Sequence, residues 1–212
     1  MKLDLGLDYL KVNKEALRLI KVQMVLDIIS AVLLAFSGPV IRLEMAKAVD
    51  PLFYQLTDFI QYGLAILLNF GIDNKILNFI KKHFRVLCIL DAFTTIIVNL
   101  VFENWANARF ISLAVLGVLV TGLMFRVIGD IYIYNNIANG SDLTILQSRK
   151  EGMYKLAILI GSAIIVIFTF FNVNITLSEA LHIQCIALII DCLVSVFITN
   201  KLIKYQKKKD EE

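Results

Sequence analysis

The chain has 212 residues, of which 58% are hydrophobic, and its mean hydropathy is +0.76. Soluble domains contain roughly 45–50% apolar residues. Here the additional apolar residues lie in runs whose length approaches the about 20 residues that a helix needs to cross a bilayer. Each helix of a soluble all-α bundle would need a charged stripe on its outer face. The longest apolar runs lack such a stripe, so a soluble bundle is excluded. The net charge of +3 is small and does not indicate a nucleic-acid partner. The sequence therefore predicts an all-α, polytopic membrane protein.

Residues 1–21 form a basic, partly amphipathic lead-in. Asn13 is placed to cap a helix that begins at Lys14, and this helix is expected to lie at the membrane surface. The apolar side chains at near-helical spacing are Leu7, Leu10, Leu17 and Ile20. No apolar core precedes a small-residue cleavage site here, so the first apolar run is expected to be a retained span.

Six membrane spans are predicted within a membrane domain of residues 22–200. They lie at about 22–41, 52–70, 86–102, from 110 onward, 155–172 and 181–200. The first is expected to stop or kink near Gly38 and Pro39. Residues 71–85 are predicted to be a loop, and Trp105 lies in a connector where interfacial aromatic residues collect. The charged tail 201–212 is predicted to be disordered.

The end of the fourth span is open between two alternatives. If the helix stops at Phe125, the following loop has about 28 residues, and structureless loops of that length are uncommon. If the helix continues through Ile131–Ile137, Arg126 and Asp130 lie one turn apart on a face inside the bilayer and can pair with each other. The longer helix is favoured, and the loop then covers about 138–150.

The distribution of basic residues predicts the orientation, because cytoplasmic flanks are rich in Lys and Arg. With six spans and both termini inside, 18 of the 21 basic residues fall on the inner side. The outer side holds only Arg42, Lys47 and Arg109. We therefore expect a multi-pass protein of the cell membrane with both termini cytoplasmic.

Ionisable residues inside the spans are the candidate functional groups, since charges in a bilayer are costly and mark ion or proton routes. Four carboxylates qualify: Asp27, Asp58, Asp91 and Asp191. Asp58 and Asp191 are the strongest candidates, while Asp27 and Asp91 lie near the inner ends, where a basic partner could neutralise them. Arg126 and Asp130 complete the set of ion-coupling candidates. The polar side chains predicted to line the same faces are Tyr54, Gln55, Gln61, Asn99 and Gln184. A purely structural role, in hydrogen bonds between helices, is the alternative.

No enzyme motif, cofactor or metal site is predicted. Cys88, Cys185 and Cys192 lie in apolar segments without CxxC spacing and are expected to be buried small hydrophobes. His83 and His182 have no carboxylate cluster near them in sequence.

The layout resembles one six-helix half of a major facilitator superfamily transporter. The basic second connector, with Gly71, Asp73, Lys75, Lys81 and Lys82, is a loose version of that family's loop, although the second glycine is missing. Arg126 with Gly129 resembles the family's span-four pair, and Arg149 with Gly152 resembles the approach to span five. The resemblance implies a dimer, with itself or with a second six-span chain, because such transporters bind substrate between two halves.

The sequence therefore predicts a small secondary transporter that couples a small-molecule or ion substrate to a proton or ion gradient. Two alternatives are a six-span substrate-binding subunit of an energy-coupling importer and a non-transporting membrane accessory protein.

Overall fold

A computed structural model gives the fold of the chain. It describes residues 7, 10, 12–48, 52, 55, 56, 59, 63, 66, 74–105, 109, 134, 137, 138 and 140–202. Within these residues the regular structure is helical and no strand is present. The all-α prediction is confirmed.

Four long helices contain most of the described residues. They are α1 (Lys14–Ala48), α2 (Asn74–Asn104), α3 (Gly140–Phe170) and α4 (Leu177–Leu193), and α4 continues into a π-helical segment, Val194–Thr199. In each of them a stretch is long and apolar enough to cross a membrane. The predicted spans at 22–41, 86–102, 155–172 and 181–200 fall on these four helices. Most of the other two predicted spans lies outside the described residues.

α1 begins where the sequence predicts and is longer than predicted. The Asn13 side-chain oxygen accepts a hydrogen bond from the Glu15 amide at 2.9 Å, which is an N-cap. The helix then runs without a break through residue 21 and past Pro39 to Ala48. Residues 14–21 of the predicted lead-in and the first predicted span thus form one continuous helix, and α1 does not stop at Pro39. Membrane helices tolerate proline where neighbouring groups satisfy the freed backbone.

Two predicted loops are helical as well. Residues 74–85 belong to α2, and residues 140–150 belong to α3. Both stretches are polar and directly precede an apolar run. Hydropathy therefore predicts that a helix starts with the apolar run, although the helix begins earlier, in the polar stretch. The tail prediction also changes at its start, because residues 201 and 202 are helical and Leu202 is buried. The rest of the tail lies outside the described residues.

The turn between α3 and α4 is held by local hydrogen bonds. Asn172 has φ +55°, and the amides of Asn172 and Val173 donate to the carbonyls of Thr169 and Phe168 at 3.1 and 2.9 Å. This is a Schellman motif, which satisfies the last carbonyls of a helix. α4 then opens with a capping box between Thr176 and Glu179. The polypeptide chain thus reverses direction within a few residues.

The contacts between helices define their directions. α1 and α3 are parallel, because Lys150 lies beside Asp27 and the Phe168 ring packs on Phe36. α4 is antiparallel to α1, since Ser30 contacts Ala187 while Ile41 shares a cluster with Ala180 and Leu181. α2 is also antiparallel to α4, as the contacts of Asn99 with Gln184 and of Cys88 with Cys192 show. α1, α2 and α3 therefore point the same way and α4 points back.

An apolar cluster closes the end of the bundle at which α1 begins. Its buried members include Leu7, Leu10, Leu17, Ile20, Tyr134, Leu146 and Leu202. The four lead-in side chains that the sequence places near helical spacing are thus all buried against protein. In this cluster, side chains from the starts of α1 and α3 pack against side chains from the end of α4 and against Tyr134.

Candidate functional site

A cavity of about 960 Å³ lies between α1, α3 and α4, next to this apolar cluster. Phe84 of α2 and Tyr134 complete part of its wall. Its charged lining residues are Asp27, Lys150, Glu151 and Asp191. Pockets of this size suit small organic ligands, which bind in clefts of about 300–1,000 Å³.

α1 contributes a polar face to the cavity. Gln23, Asp27 and Ser30 lie at offsets of four and three, which places them on one side of the helix. Gln23 and Ser30 are buried, and the Ser30 hydroxyl donates to the Ala187 carbonyl at 3.3 Å. Asp27 is half-buried between them. The face therefore combines one carboxylate with neutral groups that are anchored to neighbouring elements.

Lys150 brings a positive charge to the same place. Its ammonium nitrogen lies 4.0 Å from Asp27 Oδ2, and the two side chains are 27% and 29% exposed. The same nitrogen lies 5.0 Å from the centroid of the Tyr134 ring, a cation–π distance. The buried Tyr134 hydroxyl in turn donates to Gln23 Oε1 at 3.4 Å. Three separated segments of the chain thus meet in one polar network.

Asp191 enters the cavity from α4, three residues before the π-helical segment. That segment carries two further lining residues, Ser195 and Thr199, both buried. Its wider turn is marked by the Asn200 amide, which donates to the Ser195 carbonyl five residues back. π-helical turns occur frequently at functional sites because they rotate the side chains that follow. Here the turn helps α4 present Asp191, Ser195 and Thr199 to one cavity.

Asn99 and Gln184, both predicted as polar lining, contact each other instead of the cavity. The Asn99 amide donates to Gln184 Oε1 at 3.1 Å, and Asn99 is buried. Its own side-chain oxygen is buried without a hydrogen-bond partner in the described ranges. The pair joins α2 to α4.

Asp91 also lies away from the cavity. It is half-buried on α2, and its backbone carbonyl accepts hydrogen bonds from the hydroxyls of Thr94 and Thr95 at 3.1 and 2.8 Å. Of the predicted ion-coupling carboxylates, the structure therefore brings Asp27 and Asp191 to one cavity and places Asp91 elsewhere.

The remaining predicted site residues are not tested by the structure. Gln55 is helical and exposed. Outside the described residues lie Tyr54, Asp58, Gln61, Arg126 and Asp130. Tyr134 and Ile137 are helical, and the Ala138 amide donates to the Tyr134 carbonyl at 3.0 Å, as the longer version of span four predicts.

Sequence reasoning missed Gln23 and assigned Lys150 only to a basic loop. Gln23 could have been found, because it precedes Asp27 by one helical turn. The position of Lys150 at the cavity depends on residues 140–155 being helical, and the polar composition of that stretch gave the opposite indication.

A second polar cluster lies at the other end of the bundle. His182 Nε2 is 3.5 Å from Glu103 Oε2, and the Ser178 hydroxyl donates to the same carboxylate. In the described ranges, no group of three or more His, Cys, Asp or Glu side chains is placed to hold a metal ion. The three cysteines are free, and Cys88 is buried while Cys185 and Cys192 are half-buried.

Comparison of the chain with protein families, with curated proteins and with solved structures finds no match.

Proposed function

We propose that this protein is a small secondary transporter of the cell membrane. The observation that carries the proposal is the cavity between α1, α3 and α4, in which Asp27, Lys150 and Asp191 lie on helices with membrane-spanning stretches. An ionisable side chain in a membrane costs about 2.5–3.5 kcal/mol at the bilayer centre by insertion scales, so such groups face cavities and serve ion or proton routes. The cavity offers room for a solute beside them.

Asp27 and Asp191 are the groups that we assign to ion coupling. Each can hold a proton or a cation beside the bound solute and release it when the cavity opens to the other side. Asp27 exchanges its partner most simply, because Lys150 is a competing cation attached to a neighbouring helix. Movement of α3 relative to α1 would then alter the affinity of Asp27 for a proton or a cation.

The directions of the described helices support six spans. α1 ends at Ala48 and α2 begins at Asn74, yet the two helices point the same way. We therefore propose that residues 49–73 return across the bundle between them. The same reasoning applies between the end of α2 at Asn104 and the start of α3 at Gly140. These two returns coincide with the second and fourth spans predicted from the sequence.

Charge supports the orientation with both termini inside. One end of the bundle, at the starts of α1, α2 and α3, carries the described basic residues Lys14, Arg18, Lys21, Lys75, Lys82, Arg85, Arg149 and Lys150, whereas Arg42 and Lys47 lie toward the other end of α1. A six-span unit of this kind is half of a major facilitator transporter in layout, so we propose that it works as a parallel dimer or with a second six-span chain. The outward α3 side chains Leu159, Val166 and Phe170 are exposed and available to lipid or to such a partner.

The proposal is tested by proton flux in liposomes. The full-length protein is reconstituted with an internal pH dye, and solutes are screened for those that drive proton movement. We expect Asp191→Asn and Asp27→Asn to reduce that movement to the level of empty liposomes, because an amide cannot exchange a proton. Glu44→Gln is the matched control, since it removes a carboxylate of α1 whose partner is Lys47, outside the cavity. Proton movement that persists in both cavity variants, or that no solute drives, contradicts proton-coupled transport through these carboxylates.

A further inference from the structure

Lys150 occupies the position that a ligand cation would take in the cavity. Its ammonium lies between a carboxylate, Asp27, and the face of an aromatic ring, Tyr134. A carboxylate beside an aromatic face is the combination that recognises an organic ammonium ion, through charge and through the ring quadrupole. We propose that the cavity binds an organic ammonium ion, which replaces the Lys150 ammonium at Asp27 and Tyr134. This inference rests on the proposed function, in which the cavity is the solute site.

The charge of the lining favours a cation. Among the described lining residues there are three carboxylates, from Asp27, Glu151 and Asp191, and one ammonium, from Lys150. A low-dielectric wall strengthens the field of this excess negative charge. Glu151 has a partner outside this count, because the Lys155 ammonium lies 3.3 Å from its carboxylate. Among the described lining residues, Asp27 and Asp191 therefore face one ammonium, and an anionic solute would meet net repulsion.

The rest of the lining favours a solute with an apolar body. Met24, Ile28, Leu34, Phe84 and Met153 surround the charged groups. Methionine and phenylalanine side chains adapt well to apolar and aromatic ligands. A small inorganic cation would leave this apolar surface without a partner, whereas an aromatic or alkyl ammonium ion would contact both parts of the wall.

Lys150 is able to leave the site. It is only half-buried, it is the eleventh of the 31 residues of α3, and its four-carbon stem is flexible. When a ligand ammonium takes its place, the Lys150 ammonium can turn toward water along the polar start of α3. Asp27 then keeps a cationic partner in both states.

Three probes of one size test the inference: benzylammonium, benzyl alcohol and benzoate. Binding to the full-length protein in lipid nanodiscs is measured by calorimetry, with empty nanodiscs as the blank. We expect benzylammonium to bind best and benzoate worst. Asp27→Asn should weaken benzylammonium binding at least about tenfold, because the charge-assisted contact is lost. Glu44→Gln, on the same helix and outside the cavity, should leave binding unchanged.

Lys150→Met gives a result that a merely structural ion pair would not. Removing the tethered competitor should strengthen benzylammonium binding, and Lys150→Arg, which keeps the competing charge, should not. Equal binding of the three probes, preference for benzoate, or weaker benzylammonium binding in Lys150→Met overturns the inference. If Asp27→Asn does not fold, the two Lys150 variants still decide the question.

The two proposals fail separately. Benzylammonium binding that depends on Asp27, without any coupled proton movement in liposomes, would contradict secondary transport and support the ammonium site. Proton movement that requires Asp191 and is driven by other solutes, without benzylammonium binding, would contradict the ammonium site alone.

Discussion

At the scale of single residues, the contact between Asp27 and Lys150 determines how a carboxylate is accommodated on a membrane-spanning helix. The 4.0 Å separation and the exposure of 27% and 29% place this pair between a surface and a buried ion pair. Surface pairs contribute little to stability, whereas breaking a buried pair is costly because one charge is left uncompensated. A pair of this intermediate exposure is expected to contribute more to stability than a surface pair and less than a fully buried one.

A double-mutant cycle measures this contact. Asp27→Asn, Lys150→Met and the double variant are compared with the wild type by thermal unfolding in one detergent. We expect a coupling free energy of about 1–2 kcal/mol, between the values typical of exposed and of buried pairs. Lys155→Met serves as the control for loss of a lysine from the same helix, since Lys155 is exposed and pairs with Glu151 at 3.3 Å. Additive effects of Asp27→Asn and Lys150→Met would show that the pair contributes nothing.

The sequence predicted part of this site at the residue level. It identified Asp27 as a carboxylate that a basic partner could neutralise, and Asp191 as one of the two strongest candidates for ion coupling. It could not identify Lys150 as the partner, because more than a hundred residues separate the two positions. Asp91 and Asn99 show the converse limit, since both were predicted from their polar side chains, yet Asp91 lies on α2 outside the cavity and Asn99 contacts Gln184 of α4.

At the scale of elements, the helices are longer than a bilayer is thick. α1 has 35 residues and is about 52 Å long, while the hydrocarbon core measures about 30 Å. Hydropathy detects the part inside the membrane and not the ends of the helix. This is why the polar residues 74–85 and 140–150 were predicted to be loops although they extend α2 and α3. The extensions bring Phe84 and Lys150 to the cavity, so the error in helix length hid part of the site.

The contact between α1 and α3 depends on Gly161. A Cβ atom at this buried position would lie 2.6 Å from the Val32 carbonyl oxygen and 2.7 Å from Ala35 Cβ. Neither atom belongs to a flexible side chain, so the helices would have to separate. Small residues at such crossings allow membrane helices to approach closely.

We expect Gly161→Ala to lower the free energy of unfolding by about 1–3 kcal/mol, the usual effect of overpacking. Gly152→Ala is the matched control, because it lies on the same helix, is exposed, and has no atom within 4 Å of the added Cβ. That variant should be neutral or more stable by up to about 1 kcal/mol, owing to the better helix propensity of alanine. Thermal unfolding of both variants in the same detergent gives the comparison. Equal stability of the two would contradict the close packing of α1 on α3.

At the scale of the whole molecule, three parallel helices and one antiparallel helix place the cavity near the basic end of the bundle. The sequence predicted the all-helical class from apolar runs, and it predicted alternating sides from the placement of lysine and arginine. It could not predict which helices enclose the cavity. Packing between helices depends on individual contacts, such as that of Gly161 with Val32, and amino-acid composition does not reveal such contacts. Both the transport proposal and the ammonium site rest on the chain crossing the membrane between the parallel helices.

The most direct test of that claim is labelling of single cysteines with a membrane-impermeant maleimide in intact cells, in a background where the three native cysteines are replaced by serine. The positions are exposed and lie next to the ends of the helices: Lys47, Lys75, Ser141 and Asn174. We expect Lys47→Cys and Asn174→Cys to react from outside, and Lys75→Cys and Ser141→Cys to react only after the membrane is permeabilised. Reaction of Lys47→Cys and Lys75→Cys from the same side would contradict a crossing between α1 and α2, and with it the six-span bundle.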